Sequence, residues 1–306
     1  MTQGRIRAIK KERIKKSDLL FYCSMLVIPI LNLIVFYFYG NANSFLLAVK
    51  AYDIDKAEFY FSGFAVFKTV FADLGSTLIL RAFGNSLLVY AVGLFIITPL
   101  SLLFSYYIFK KFPFSNAMRV IFFLPSLIAG IILIVIFKYF VTVTIPEMLG
   151  KVGITIERPL GNPNTALPII LFYSVIVGFG GNILIYSGSM NSVNTAVIES
   201  ARLDGVNPLQ EMTRIVLPLM WPTFTTFVVT GLAGLFTNQM YLYDLYGINA
   251  DYSLYTIGYY TFSKTASGVF SEYPYLSAFG LVLTAITIPL TFLVRWAMTR
   301  FGPSVD

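Results

Sequence analysis

Long stretches without a charged side chain constrain this chain more than any other feature. Only 12% of its 306 residues are charged, against about 25% in ordinary globular domains. A run of about 20 apolar residues matches the hydrocarbon thickness of a bilayer, and backbone in lipid must satisfy its own hydrogen bonds, so such runs predict helices. We therefore predict an all-α polytopic membrane bundle with six transmembrane helices, at residues 19–39, 82–109, 120–137, 166–190, 216–240 and 275–297.

The distribution of basic residues predicts how these spans are oriented. With both termini inside the cell, the inner segments hold 14 basic and 6 acidic residues, and the outer segments hold 8 basic and 9 acidic residues. Basic residues concentrate on the cytoplasmic side of membrane proteins. We expect a multi-pass protein of the cell membrane with both termini cytoplasmic. A basic cytoplasmic tail would occupy residues 1–18, followed by a six-span domain at residues 19–300 with a cytoplasmic loop at 191–216.

Scarce residue types exclude several classes of site. The chain has one cysteine, Cys23, and no histidine, which leaves no disulfide, no histidine-based catalysis and no cysteine–histidine metal cluster. It has no G-x-x-x-x-G-K-[ST] segment to cradle nucleotide phosphates. No cofactor, metal site or catalytic residue is predicted, and the chain is not expected to be an enzyme. The basic tail is interpreted as the charged flank of a membrane span, so no nucleic-acid partner is predicted.

A polar segment interrupts the apolar second half of the chain between the fourth and fifth predicted spans. Asn194 can cap a helix over the sequence TAVIESARL, which Asp204 and Gly205 would end. Asn207 can cap a second helix that has Pro208 at its first position and a glutamine at the capping-box position. The pattern predicts a helix–turn–helix. Local physics leaves two interpretations open, an amphipathic elbow at the membrane surface or a docking surface for a soluble partner.

A second pattern runs through the same segment. Its spaced residues are Glu199, Ala201, Asp204, Gly205, Ile215, Leu217, Pro218 and Pro222. This order resembles the EAA motif of ABC-importer permeases, with Ser200 and Val206 as departures. The Leu-Asp-Gly variant is similar to the carbohydrate-uptake branch, the binding-protein-dependent sugar permeases with the type I importer fold. The resemblance covers about residues 80–300.

The resemblance implies a role for the polar segment and a set of partners. In such permeases this loop docks into a groove on a cytoplasmic ATPase subunit, so ATP hydrolysis is expected on a separate polypeptide. The coupling residues would be Glu199, Ala201, Asp204, Gly205, Leu217 and Pro218. The other implied partners are a second permease subunit in a heterodimer, an extracytoplasmic substrate-binding protein, a sugar substrate and the lipid bilayer.

Amides inside the spans are candidates for the substrate pathway. Asn182, Asn238 and Gln239 are costly in lipid and should face the bundle interior or a wet cavity. Sugars are bound by aromatic faces together with amides and carboxylates, and Tyr241 adds an aromatic ring on the helical face of Asn238. An interfacial belt of tyrosines is the alternative interpretation of this stretch. The Gly-Gly-Pro loop that many such permeases carry after span five is missing.

Two other transport functions stay open at this point. An ABC importer for a sugar phosphate, phosphate or amine would share the same coupling loop. An ATP-independent secondary transporter would show an inverted repeat and ionisable residues in its spans. No strong internal symmetry is visible, and the predicted mid-span regions lack Asp, Glu, Lys and Arg.

Overall fold

The computed structural model describes residues 16–154 and 158–303, with side chains from residue 21 onward. Most of the predicted basic tail, residues 1–15, lies outside the described residues. Five helices are long and apolar enough to cross a membrane, and a pair bent by 75° makes a sixth. The prediction of an all-α bundle with six spans is therefore confirmed. In chain order the spans are Phe21–Ala48, Thr77–Phe109, Gly130–Gly150, Pro163–Asn191, the bent pair Pro208–Leu219 with Trp221–Ala233, and Phe270–Phe301.

Four of the spans contain a wider π-helical turn. Such turns loosen the regular backbone ladder inside a helix. They are Leu33–Tyr39, Gly93–Ile97, Phe140–Thr144 and Met212–Val216. The α-helical parts of the spans are Lys16–Asn32, Gly40–Ala48, Thr77–Val92, Thr98–Phe109, Gly130–Tyr139, Ile145–Gly150, Pro163–Asn191, Pro208–Glu211, Leu217–Leu219, Trp221–Ala233 and Tyr273–Phe301.

Short elements connect the spans. Strands β1 (Lys50–Asp53) and β2 (Glu58–Phe61) form an antiparallel hairpin in which Lys50 pairs with Phe61. This hairpin and the helix that follows it occupy the long segment between spans one and two. The connecting helices are Ala65–Asp73, Ser115–Leu127, Thr195–Leu203, Leu242–Tyr246 and Ile257–Ala266, with short 3-10 turns at Tyr252–Leu254 and Phe270–Glu272.

The predicted third span was wrong in its position. Residues 120–137 straddle two helices, because the chain is extended at Ile128, with ψ 139°, after Pro125 has loosened the end of the first helix. The next helix runs to Gly150, through residues that were predicted to be loop. Hydropathy does not register this break, since the residues around it stay apolar.

A charged residue consequently lies inside a span, against the prediction that the mid-span regions carry none. Lys138 belongs to the third span, and its Nζ donates a hydrogen bond to the backbone carbonyl of Leu245 at 2.7 Å. A cation at membrane depth is costly unless it is paired or directed at backbone carbonyls. The bond to Leu245 supplies such a partner and ties span three to the helix Leu242–Tyr246.

Small residues allow the central helices of the bundle to approach closely. Ser101 and Ser105 of span two donate to the carbonyls of Phe179 and Ile183 in span four, at 3.2 and 3.1 Å. A Cβ at Gly180 would lie 2.0 Å from the carbonyl oxygen of Phe122. Small side chains at such interfaces are the usual means by which membrane helices pack. Span one differs, because none of its apolar window is buried within this chain.

The loops form two groups, one at each end of the bundle. At one end Lys110 contacts Glu211, and the Trp221 side chain donates to the Met298 carbonyl at 2.9 Å. At the other end the Asn85 side chain donates to the carbonyls of Ser253 and Tyr255 at 2.8 and 2.9 Å. The connecting segments therefore cluster at two opposite ends of the bundle.

Candidate functional site

The segment at residues 191–216, here called the coupling loop after the role expected from the sequence, contains two helices joined by a turn. Its second helix is the first arm of the bent pair. Its first helix is Thr195–Leu203, and the Asn194 side chain caps it by accepting from the Ala196 amide at 3.0 Å. Gly205 has φ +77°, and the amides of Gly205 and Val206 donate to the carbonyls of Arg202 and Ala201. This is the Schellman arrangement, in which a residue with positive φ ends a helix at little steric cost only if it is glycine.

A capping box starts the second helix at once. The Asn207 side chain accepts from the Gln210 amide at 2.9 Å, and the Gln210 side chain accepts from the Asn207 amide at 3.2 Å. Pro208 follows at the first helical position, where a missing amide hydrogen costs nothing. Both ends of the turn are thus fixed by local hydrogen bonds, so the two helices hold a defined angle.

A buried ion pair joins the coupling loop to the membrane bundle. Lys110 Nζ, at the end of span two, lies 2.6 Å from Glu211 Oε1 and 2.7 Å from Oε2. The Glu211 side chain is 2% exposed and that of Lys110 is 8% exposed. Arg202 Nε stands 3.7 Å from Oε2 on the solvent side, and Lys110 also lies over the Tyr106 ring. Removing one partner of such a pair leaves an uncompensated charge, so the contact constrains the loop strongly.

The sequence interpretation missed this pair. Glu211 precedes the buried Met212 and lies one turn before Ile215, so it belongs to the apolar face of its helix. A carboxylate on the buried face of an amphipathic helix requires a cation, and Lys110 ends a span on the same predicted side. That reasoning would have pointed to the pair.

The predicted coupling residues divide between two faces of the loop. Glu199, Asp204 and Gly205 are exposed, whereas Ala201 is 7% exposed and faces the bundle. Leu217 and Pro218 are half-buried at the entry to span five. The exposed face also carries Leu203, whose side chain is 90% exposed, and Leu209, which is 65% exposed.

The fifth span ends earlier than predicted. Its helix stops at Ala233, and residues 234–241, here called the break segment, are not helical. Met240 and Tyr241 have φ +51° and +56°. The expectation that Asn238 and Tyr241 share a helical face was therefore wrong. Each left-handed non-glycine residue costs about 1–3 kcal/mol and persists only where surrounding contacts enforce it.

Contacts with the helix Ile257–Ala266 and its start enforce this backbone. The Thr256 hydroxyl donates to the Asn238 carbonyl at 2.7 Å, and the Asn238 side chain accepts from the Met240 amide at 2.8 Å. A Cβ at Gly258 would lie 2.6 Å from the Asn238 carbonyl oxygen. Only glycine allows the two backbones to approach so closely.

The break segment lines a cavity of about 490 Å³ between spans two, four and five. Asn238, Gln239 and Tyr241 line it together. The Asp244 carboxylate lines the same cavity. Asn182 is half-buried on span four and does not line this cavity. The structure thus brings three of the four predicted pathway residues together.

The arrangement combines two features that transport proteins use. Non-helical backbone at membrane depth occurs where it is buried in protein or lines a water-filled cavity, and broken helices with free amides and carbonyls commonly mark solute sites. Among the described residues, no group of three or more His, Cys, Asp and Glu is placed to hold a metal ion. What the cavity offers a solute is amides, hydroxyls, a phenol and the carboxylate of Asp244.

The amino-acid sequence is similar to those of known transport permeases. The chain is 24% identical over 271 residues to the arabinooligosaccharides transport system permease protein AraP of Bacillus subtilis strain 168, covering 86% of this chain and 84% of that protein. It is 22% identical to the multiple sugar-binding transport system permease protein MsmF of Streptococcus mutans, covering 86% of this chain and 90% of that protein.

Solved structures share the fold. A chain of a bacterial ABC transporter involved in the import of the acidic polysaccharide alginate superimposes with a TM-score of 0.77 at 23% identity, covering 93% of this chain and 96% of that chain. Residues 97–306, more than half of the chain, match the family described as the binding-protein-dependent transport system inner membrane component. The chain belongs to that family, the membrane components of binding-protein-dependent transport systems.

Proposed function

We propose that the chain is the permease subunit of an ATP-driven ABC importer and forms half of the pathway for a sugar or oligosaccharide. A substrate-binding protein would deliver the solute from outside the cell. The family membership and the sugar-transport relatives support this function. The cavity beside the break segment supports it chemically, because amides and a phenol are suited to hydrogen-bond sugar hydroxyls.

The observation that carries the proposal is the two-faced coupling loop. One face, with Glu199, Asp204 and Leu203, is exposed and has a charged and apolar surface for a partner. The opposite face is fixed to span two by the Glu211–Lys110 pair. A cytoplasmic ATPase subunit that moves the exposed face would therefore move spans two and five with it. ATP hydrolysis takes place on that separate subunit.

The remaining residues fit the same mechanism. Leu217 packs against the buried cluster around Tyr106, and the bend at Met220 passes the motion into span five. Asn238, Gln239 and Tyr241 line the pathway, and Asn182 contributes at a different depth. The domain at residues 19–300 performs transport, and the basic tail at residues 1–18 anchors the first span.

The orientation and the assembly complete the proposal. Both termini and the coupling loop lie in the cytoplasm, as the charge distribution predicts. A second, different permease subunit completes the pathway. The face of span one that this chain leaves exposed is available to lipid or to that subunit.

A matched pair of glycine variants tests the coupling role. Gly205 and Gly153 have φ +77° and +84°, and a Cβ at either position would meet no atom within 4 Å. Replacing either by Val imposes a similar backbone strain, about 1–2 kcal/mol, but only Gly205 lies in the coupling loop. We expect Gly205→Val to abolish most ATP-driven sugar uptake in proteoliposomes that contain the whole transporter, and Gly153→Val to retain it. Equal uptake by both variants would contradict the coupling role.

A further inference from the structure

A tyrosine-lined cavity of about 650 Å³ opens at the end of the bundle opposite the coupling loop. It lies between the helix Ala65–Asp73, the start of spans two and six, and the helix Ile257–Ala266. Its size is within the range of small-molecule sites, about 300–1,000 Å³. Four tyrosines line it: Tyr252, Tyr255, Tyr260 and Tyr275.

A second cavity of about 530 Å³ adjoins the first. Ile248, Tyr252 and Tyr255 line both cavities, so the two form one continuous depression, here called the outer groove. The second cavity adds Asn249 and Asp251 to the lining. The outer groove is separate from the cavity beside the break segment, and the two share no lining residue.

The tyrosines of the outer groove are held with their rings packed and their hydroxyls available as donors. Tyr255 and Tyr260 are each 7% exposed, and both line the first cavity. Burial raises the pKa of Tyr255 to about 12 and also raises that of Tyr260, so both phenols stay protonated at neutral pH. The Tyr275 hydroxyl is buried beside the Tyr260 hydroxyl and the Asp73 carboxylate, without a well-formed hydrogen bond to either within the described part of the chain. An unsatisfied buried hydroxyl favours a ligand that supplies hydrogen-bonding groups.

The charges around the outer groove are predominantly negative. Asp73 and Glu272 line the first cavity and Asp251 lines the second. Lys264 is paired with Glu272, and the charge of Arg81 acts on Asp251, whose pKa is lowered chiefly by hydrogen bonds from Ser253. Three carboxylates therefore face two cations, and among the described residues Asp73 takes part in no ion pair. A ligand with carboxylates of its own would meet repulsion here.

We propose that the outer groove binds an uncharged oligosaccharide at the outer mouth of the permease and discriminates against acidic oligosaccharides. The Tyr252 ring, which is 68% exposed, gives an apolar face for a sugar ring, and Asp73 and Asp251 accept hydrogen bonds from hydroxyls. The excess carboxylate of the groove repels the carboxylates of an acidic oligosaccharide, and a neutral one meets no such repulsion. The inference rests on the proposed sugar-import function and narrows the substrate to neutral saccharides.

Cysteine protection in the assembled transporter tests the groove. In a Cys23→Ser background, Ser267→Cys places a thiol in the lining of the first cavity, and Thr265→Cys places one on the same helix outside the lining. Neutral tetrasaccharides of arabinose, glucose and galactose and the acidic tetragalacturonate serve as probes. At about ten times its Kd, a neutral saccharide should slow maleimide labelling at position 267 about tenfold. It should leave position 265 unchanged, and tetragalacturonate should slow neither.

Removing one tyrosine hydroxyl from the groove extends the labelling experiment. Tyr260→Phe removes one donor from the groove and should weaken protection about twofold to tenfold. Tyr243→Phe is the control, because Tyr243 does not line either cavity. The inference is overturned if no neutral saccharide in the panel protects position 267, if tetragalacturonate protects equally, or if the two phenylalanine variants behave alike. ATP-driven uptake in the same preparation separates the outcomes. If ATP-driven uptake occurs but no saccharide protects position 267, only the groove proposal fails. If no ATP-driven uptake occurs, the proposed importer function fails.

Discussion

The coupling loop and the break segment are held in place by opposite means. The coupling loop is built from two regular helices whose caps are satisfied by neighbouring residues, and one buried ion pair attaches it to span two. The break segment has no regular structure and two strained residues, Met240 and Tyr241, enforced by a helix further along the chain. A rigid loop suits the transmission of force, and a strained segment that lines a cavity suits the handling of a solute.

The largest effect is expected from separating the ion pair that fixes the coupling loop. Lys110→Met leaves the Glu211 carboxylate buried without its main cation, which costs about 3–5 kcal/mol in comparable pairs. Arg202, at 3.7 Å and 57% exposed, compensates only part of the charge. We expect a clear fall in the thermal unfolding midpoint of the detergent-solubilised protein. The double variant Lys110→Met/Glu211→Gln removes both charges and should recover most of the loss. Equal destabilisation by the single and double variants would contradict a buried charge pair.

The next effect concerns the contact that enforces the break segment. Gly258→Ala places a Cβ 2.6 Å from the Asn238 carbonyl, so the segment must move. Overpacking of this kind costs about 1–3 kcal/mol, and we expect sugar uptake to fall with it. Gly280→Ala is the control, because it lies in span six with no atom within 4 Å of the new Cβ and should stabilise the helix slightly. A Gly258→Ala protein that transports like the control would show that the strained geometry is not needed.

A smaller effect separates local stability from coupling. Asn207→Ala removes the cap of the second coupling-loop helix, and Asn162→Ala removes the cap of span four. Each loss costs about 1 kcal/mol, so the two unfolding midpoints should fall by similar amounts. Only Asn207→Ala should lower the amount of sugar moved per ATP hydrolysed. If both variants reduce that ratio equally, the loop has no special part in coupling.

The smallest change in stability is expected at the exposed face of the loop. Glu199→Gln keeps the size of an exposed side chain and should change stability by less than about 0.5 kcal/mol. Uptake should nevertheless fall, because in the proposed mechanism this carboxylate contacts the ATPase subunit. Glu147→Gln, outside the coupling loop in span three, is the matched control and should leave uptake unchanged. Identical uptake by the two variants would contradict a role of Glu199 in the contact with the ATPase subunit.

The features that depend on neighbouring residues could be predicted from the sequence, and those that depend on distant contacts could not. The caps at Asn194 and Asn207 and the turn at Gly205 depend on residues within a few positions, and all three were predicted correctly. Spans two, four and six were also placed to within a few residues of the observed helices, because a long apolar run is sufficient to mark them.

Features that depend on distant contacts were not predicted. Lys110 and Glu211 are 101 residues apart in sequence, and no local sequence motif indicates that the two side chains pair. The break segment contains no proline, and its backbone is set by Thr256 and Gly258. Span three was misplaced because residues 128 and 129 break the helix without interrupting the apolar run. The roles of the coupling and pathway residues likewise stay predictions until the assembled transporter is measured.

The most direct test of the two-faced loop is a site-specific cross-link to the partner. Leu203 and Tyr252 are both well exposed, at 90% and 68%, and lie at opposite ends of the bundle. In the Cys23→Ser background, Leu203→Cys carrying a photoactivated cross-linker should couple to the ATPase subunit of the assembled transporter, and Tyr252→Cys should not. A cross-link from position 252 to the ATPase subunit, with none from position 203, would contradict both the orientation and the coupling role of the loop.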